Sequence, residues 1–400
     1  MKKTISIMLT LLMTMVFTAC ADTPSQVKDD MSAYRDDSRN KSDETDFTYI
    51  PISELSENVE AALKGSYSQF SISDKIKFVQ PDELHIMSFE KITNAIDNYE
   101  KAMALFFSAE ELSSQNVVTQ FDENNKYYMI HNEPNKMYCC VEERGFITAL
   151  RPDTFDISFS YNEPNIKIYH ADRNDDLSDE YELEDGKHSV AEAVDYVNNW
   201  FEANYGQFSP DFDYKAETVI VRKHEEGYLY QILVHALYKG VPLDSYTRAA
   251  EKPDGTNVPK MTNWDYGVSI QMVRSDEISS FTNGGGIIKP VEVEAVDKCI
   301  SLDSALRFCE DKFSNFKDIT ISDIDIMYTL IPVYEPVPDE PDKQEVVRYD
   351  SRPVWEFVID VDPTEFIKDG EVNTRGDVRK YIYIDMITGE LKYDFEVRRY

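Results

Sequence analysis

Six histidines, five cysteines and 75 carboxylates are the groups of this 400-residue chain that could attack a substrate, move a proton or hold a metal. Their spacing decides which chemistry is open. A zinc hydrolase of the H-E-x-x-H type needs two imidazoles one helical turn apart with a carboxylate beside the first; His224-Glu225 begins that pattern, but Tyr228 stands where the second imidazole belongs. A lysine-activated serine needs S-x-x-K together with a K-T-G. Ser314-Asn315-Phe316-Lys317 supplies the first half, Ser25 to Lys28 supplies it equally, and no K-T-G follows. Neither a G-x-S-x-G elbow nor a phosphate-binding G-x-x-x-x-G-K-[ST] loop occurs. Asp172, Asn174 and Asp176 match the first three ligands of a calcium loop, yet Leu177 takes the place of the turn glycine and Leu183 that of the closing glutamate. His235 sits in Ile232-Leu233-Val234-His235-Ala236-Leu237, where a hydrogen-bonded sheet histidine is expected rather than a base. Gly284-Gly285-Gly286 has no helix after it and reads as a flexible connection, not a phosphate cradle. The expectation is a non-enzymatic protein with no catalytic residue, no cofactor and no metal.

One residue does carry a definite chemical expectation. Lys2 and Lys3 precede an uncharged run from Ile5 to Thr18, and this ends at Phe17-Thr18-Ala19-Cys20. A basic start, a 14-residue apolar stretch and small residues at the cut match a secretory signal, whereas a spanning helix needs about 20 apolar residues. The segment resembles a bacterial lipoprotein signal, which implies cleavage before Cys20 and a diacylglyceryl group on its sulfur. At about 0.8 kcal/mol per buried methylene, two or more long chains hold a protein on a membrane. Phe17 stands where such signals usually carry Leu. Ala19-Cys20-Ala21 also fits the ordinary signal-peptidase pattern, which would release a secreted protein instead.

Loss of residues 1–19 removes Lys2 and Lys3, leaving 39 basic against 75 acidic residues. Such a surface repels phosphate backbones and anionic headgroups, so nucleic acid is excluded as a partner and membrane contact is expected through the lipid alone. Residues 21–48 hold few large apolar side chains and read as a tether; a flexible chain of that length spans about 30 Å. The remainder is rich in aromatics, with 25 Tyr and 21 Phe, which suit sheets first. Carbohydrate stacking is the sharper alternative.

The elements that would position any site follow from periodicity. Helices are expected over 54–64 and 92–105, then a meander of strands at 126–130, 137–141, 145–147 and 157–161, turning at Asn132-Glu133-Pro134-Asn135. Asp172 to Asp185 holds eight carboxylates and one Arg, and reads as a loop or boundary. Ser189-Val190-Ala191-Glu192 is a capping box, followed by a helical stripe of Val190, Ala193, Val194, Val197, Trp200 and Phe201. Strands are expected at 218–222, 228–238 and 264–273. Ser301-Leu302-Asp303-Ser304-Ala305-Leu306 echoes this helix start at an offset of 112 without its Glu, with a helix over 302–313 and strands at 323–333, 354–361 and 381–384. Pro336 to Lys343, with three prolines, reads as an exposed loop. Cys139 and Cys140 adjoin in a strand and point to opposite faces; Cys309 completes the stripe of Leu302, Ala305, Leu306 and Phe313, too far along its helix to bridge Cys299. No disulfide framework is expected.

The fold class that results is α+β, with lobes of short helices packed on antiparallel sheets. The expected parts are a signal peptide over 1–19, a lipidated cysteine and tether over 20–48, an α+β lobe over 49–188, and repeat units over 189–290 and 291–400. In the last unit Trp355-Glu356-Phe357-Val358 leads to Ile384-Asp385-x-x-Thr388-Gly389-Glu390-Leu391. This order is similar to a PepSY-type domain, whose strand ends in a D-x-x-T-G-E hairpin; Gly240-Val241-Pro242-Leu243-Asp244 is a weaker counterpart in the middle unit. The motif carries no reactive group, since glycine supplies the turn and Asp and Thr bond local backbone. The chain as a whole resembles uncharacterised Gram-positive lipoproteins. That resemblance implies a lipid-anchored protein on the outer face of the cytoplasmic membrane that engages another envelope protein or peptide, as a regulator or binder. The alternative is a lipoprotein that binds or hydrolyses wall glycans or peptides.

Overall fold

The computed structural model describes residues 46–398 apart from 93–98, 114–117, 123–126, 133–136, 144, 152–164, 174, 225–226, 245–266, 284–286, 313–318, 338–339, 361–366, 369–370 and 373–378. Cys20, the signal and most of the tether lie outside these residues, as do the expected strand over 157–161 and the glycine triplet. Among the described residues no helix is long and apolar enough to cross a membrane.

The strands in chain order are β1 (Tyr49–Pro51), β2 (Phe70–Ile72), β3 (His85–Lys91), β4 (Val118–Asp122), β5 (Tyr127–Asn132), β6 (Met137–Glu142), β7 (Ile147–Leu150) and β8 (Asn165–His170). They continue as β9 (Glu180–Leu183), β10 (Gly186–Ser189), β11 (Asp213–His224), β12 (Gly227–Tyr238), β13 (Val241–Pro242), β14 (Val268–Met272), β15 (Ser280–Asn283) and β16 (Ile288–Ala295). The last are β17 (Lys298–Ile300), β18 (Ile319–Val337), β19 (Glu340–Asp360), β20 (Ile367–Lys368), β21 (Glu371–Val372), β22 (Arg379–Asp385) and β23 (Leu391–Arg398). Five α-helices join them: α1 (Leu55–Leu63), α2 (Tyr99–Ala104), α3 (Ala109–Ser113), α4 (Val190–Trp200) and α5 (Leu302–Lys312). The chain is mostly antiparallel sheet with few helices, an α+β arrangement.

Two sheets carry the body formed by Phe47–Asp362 and Thr374–Tyr400. The ten-stranded sheet runs β4-β5-β6-β7-β15-β14-β12-β11-β8, with β13 beside β12. The seven-stranded sheet runs β16-β3-β19-β18-β2, with β22 on β19 and β23 on β22. The other compact unit contains Pro363–Asn373, where β20 and β21 pair antiparallel. All strands from β11 to β15 lie in the first sheet, and the long strands after α5 lie in the second. Residues 49–188 do not gather into a lobe of their own: β4 to β8 extend the first sheet, while β2 and β3 complete the second.

Helix α4 forms where the capping box requires it. Ser189 Oγ accepts the Glu192 N–H at 3.2 Å and Glu192 Oε2 accepts the Ser189 N–H at 2.9 Å, satisfying two of the donors every helix start leaves open. Its stripe of Val190, Ala193, Val194 and Val197 then packs on Val219, Val221, Tyr230, Ile232 and Val234 of the first sheet. At α5 the missing glutamate is replaced from a distance. Ser301 Oγ takes the Ser304 N–H at 3.2 Å, and Asn58 of α1 offers Oδ1 to the Leu302 N–H at 2.9 Å. Leu55, Val59 and Ala62 of α1 share one core with Leu302, Ala305, Leu306 and Cys309 of α5 and with Trp355, Phe357 and Ile384 of the second sheet. Cys139, Cys140, Cys299 and Cys309 are free and buried.

Two stretches read as loops are strands. Within 172–185, Glu180–Leu183 pairs with Gly186–Ser189, because Leu183 is buried and Gly186 at φ +128° makes the tight reversal. The proline-rich segment is absorbed by β18 and β19, whose antiparallel ladder reaches Val337 opposite Glu340 through register shifts at Val333/Tyr334 and Pro336/Val337. The D-x-x-T-G-E hairpin does form between β22 and β23: Asp385 Oδ1 accepts the N–H groups of Ile387 (2.9 Å) and Thr388 (3.0 Å), and Gly389 takes φ +73°.

The two sheets meet through main chain. Leu243 bridges Tyr328 in parallel, and the Asp244 N–H donates to the Tyr328 carbonyl at 2.8 Å.

Candidate functional site

Among the described residues, a β-bulge brings together one group of three side chains that could hold a metal ion. The β11–β12 register jumps between Ala216 and Thr218, so Glu217 is an extra residue and is re-aimed relative to its neighbours. Its carbonyl accepts the N–H groups of Ala171 at 2.6 Å and Asp172 at 3.4 Å. The chain leaving β8 is thereby folded over the bulge, and Asp172 arrives beside Glu217. His235 on β12 completes the group, with its Nε2 2.7 Å from Glu217 Oε2. One ligand atom from each of Asp172, Glu217 and His235 lies within 4.8 Å of the others. The Glu217 and His235 side chains are only 5 % and 8 % exposed, while that of Asp172 keeps 30 %. The cluster is dry at its base and open at one side.

Arg173 links this trio to the second sheet. Its Nε lies 3.1 Å from Asp323 Oδ2 and its Nη2 3.5 Å from Glu356 Oε2, against 3.9 Å from Nε to Asp172. Glu356 is buried, accepts a hydrogen bond from Tyr383 Oη at 2.8 Å, and stands directly opposite Asp325 on β18. Like charges facing across a ladder repel. Burial, with Glu356 next in importance, pushes the Asp325 carboxyl up to about 7. Burial likewise pushes Asp172 up to about 6, against the pull of Arg173. The guanidinium is held more firmly protonated by Asp172, Tyr381, Glu356 and Asp323, which outweigh its own desolvation. Asp172, Glu217, Asp323, Asp325 and Glu356 thus gather around the Arg173 guanidinium and the imidazoles of His235 and His170, both of which act on Asp172. The arrangement can exchange protons near neutral pH or hold a cation, and its members include no serine or cysteine nucleophile.

The residues singled out by sequence distribute otherwise. His235 is the hydrogen-bonded sheet histidine expected, but its partner Glu217 was not foreseen. The calcium-like run does not converge: Asp175 accepts the His170 N–H, Asp176 the Ser178 N–H, and Asp179 the Lys167 ammonium and Tyr169 hydroxyl, while Asn174 lies outside the described residues. His224 Nε2 reaches Glu184 at 3.7 Å. The carboxylates that do converge left one signal, the acidic residues of Asp323-Ile324-Asp325 and Trp355-Glu356-Phe357 set in strongly apolar strands.

A second surface lies at the far edge of the first sheet. Strand β4 pairs only with β5 among the described residues, and its Val118 and Phe121 are each 43 % exposed. Phe121 tilts on Tyr128 with ring centroids 4.7 Å apart, and Tyr128 stacks on Tyr99 of α2 at 3.8 Å and 10°. Three rings therefore run from a helix to a strand that is the edge of its sheet among the described residues.

No protein-family model matches this chain. No curated protein matches it. Its fold is similar to the crystal structure of an uncharacterized protein from Eubacterium rectale, with a TM-score of 0.54 and 16 % identity over 85 % of this chain and 99 % of that one.

Proposed function

We propose that the chain is exported, lipidated at Cys20 and held on the outer face of a bacterial cytoplasmic membrane, where it binds an extended segment of another envelope protein without catalysing a reaction. The anchor rests on the segment before Ala21, and the two units after residue 188 are read as a diverged PepSY-like pair. Each contains a serine-capped helix, followed by long antiparallel strands of the first sheet after α4 and of the second sheet after α5. The observation that carries the binding reading is the β4 edge. Among the described residues one side of β4 is unpaired; it offers backbone donors and acceptors for strand addition, and the Phe121–Tyr128–Tyr99 rings offer contact area beside it. The chain's net charge of −34 favours a basic segment.

The reading is tested in intact cells with a photo-crosslinking residue at Gln120. Enrichment of one envelope protein, lost when Phe121→Asp is added, supports it; crosslinks confined to protein-free wall glycan would transfer the surface to the glycan-binding alternative. The anchor is tested separately, because Cys20→Ala should move the protein into the medium, and unchanged membrane retention would refute lipidation.

A further inference from the structure

We propose that Asp172, Glu217 and His235 bind one divalent first-row metal ion, Zn²⁺ in preference to Mn²⁺ and Ca²⁺. Their donors come from three separate pieces of chain, namely the turn after β8, the bulge in β11 and the middle of β12, so their meeting is a product of the fold and not of local sequence. The ligand atoms already lie within 4.8 Å of one another. Around a tetrahedral ion with bonds of about 2.0–2.2 Å, donors stand roughly 3.4 Å apart, so small side-chain rotations close the set.

Charge favours the ion. The single guanidinium of Arg173 is divided among Asp172, Asp323 and Glu356, so it does not by itself neutralise Asp172. An imidazole with two carboxylates is a borderline donor set: the nitrogen suits Zn²⁺, whereas Ca²⁺ takes six to eight oxygens. Three protein donors leave a fourth position for water or a further ligand, and the 30 % exposure of the Asp172 side chain gives solvent access to the set. The bulge adds a second reason. It costs a ladder position in the strand next to the β8 edge and in return aims Glu217 at His235, as bulges beside functional sites do.

An ordinary Glu217–His235 hydrogen bond would need no metal, and the two readings separate in one experiment. The full chain, purified in detergent and stripped with chelator, is titrated with ZnCl₂ by calorimetry, and metal retained after gel filtration is counted by mass spectrometry. One Zn²⁺ per chain is expected, with affinity lowered at least 10-fold by Asp172→Asn, a change on the partly exposed ligand that leaves the core intact, and by His235→Gln. MnCl₂ should bind more weakly and CaCl₂ more weakly still. Absence of stoichiometric Zn²⁺ in the unaltered chain overturns the proposal. So does Zn²⁺ retained undiminished by both variants, or Ca²⁺ bound as tightly as Zn²⁺.

Discussion

Replacing Asp325 by Asn should make the protein more stable at pH 8 and leave it nearly unchanged at pH 4. The carboxyl of Asp325 is raised from an ordinary 3.8 to about 7, chiefly by burial and then by Glu356 directly across the ladder. A group whose folded-state value is raised binds its proton more tightly when folded, so stability falls as pH rises from about 4 to about 7 and is level beyond. About three units at 1.36 kcal/mol each set an upper limit of about 4 kcal/mol on what ionisation costs the native state. Asn removes that cost and keeps the Oδ1 acceptor that takes the Ile326 N–H at 2.8 Å. It forgoes only the attraction of Arg173, so a gain of about 2–4 kcal/mol at pH 8 is expected. Urea unfolding of both proteins at half-unit steps from pH 4 to 8, with chelator present so that no metal masks Asp172, measures the difference directly. A difference that does not change with pH, or an Asn variant less stable at pH 8, would refute the electrostatic account.

Arg173→Met leaves Asp323 and buried Glu356 without their shared cation and should cost about 3–5 kcal/mol at neutral pH, read as a lower urea midpoint; a loss below 1 kcal/mol would mean the guanidinium is not holding the sheets together. Gly389→Ala should cost at least about 1–2 kcal/mol, because φ +73° is left-handed and the new methyl meets the Phe47 ring; Phe47→Ala in the same chain should recover part of the fall in melting temperature. Burial pushes the Cys140 and Cys299 thiols up to about 12 and those of Cys139 and Cys309 higher than ordinary. Iodoacetamide at pH 8 should therefore label none of the four in the native protein and all of them in urea, and native labelling seen by peptide mapping would contradict the packing.

What the sequence made legible was local. The capping box at Ser189, the αL glycine at Gly389 and the apolar stripe through Cys309 each depend on residues within one or two turns of each other, and each appears where spacing puts it. Pairing over distance was not legible. The alternation in β18 and β19 marks strands, but their 19- and 21-residue lengths are fixed by mutual register through four prolines, Pro332 and Pro336 in one and Pro341 and Pro353 in the other. Residues 49–188 read as one run of elements because nothing in them announces which of two sheets each strand will join. The site was hidden for the same reason. Asp172, Glu217 and His235 are separated by 45 and 18 positions, and a bulge, which leaves no residue-type signature at Ala216-Glu217-Thr218, brings them together.

The chain's arrival at the body carries a mechanical consequence. Phe47 lies on Gly389, Thr48 exchanges hydrogen bonds with Ser301 and Ser304, the Tyr49 hydroxyl donates to the Ile387 carbonyl, and β1 pairs with β17. The first described residues are thus buckled to the cap of α5 and to the β22–β23 hairpin, more than 250 positions away in sequence. The residues that first meet the entering chain are therefore those of the C-terminal hairpin and α5, not those of β4 or the Glu217 bulge. The hairpin turn, which bears no reactive group, thus fastens the chain entering at Phe47 to the last hairpin of the fold, on contacts separate from β4 and the Glu217 bulge.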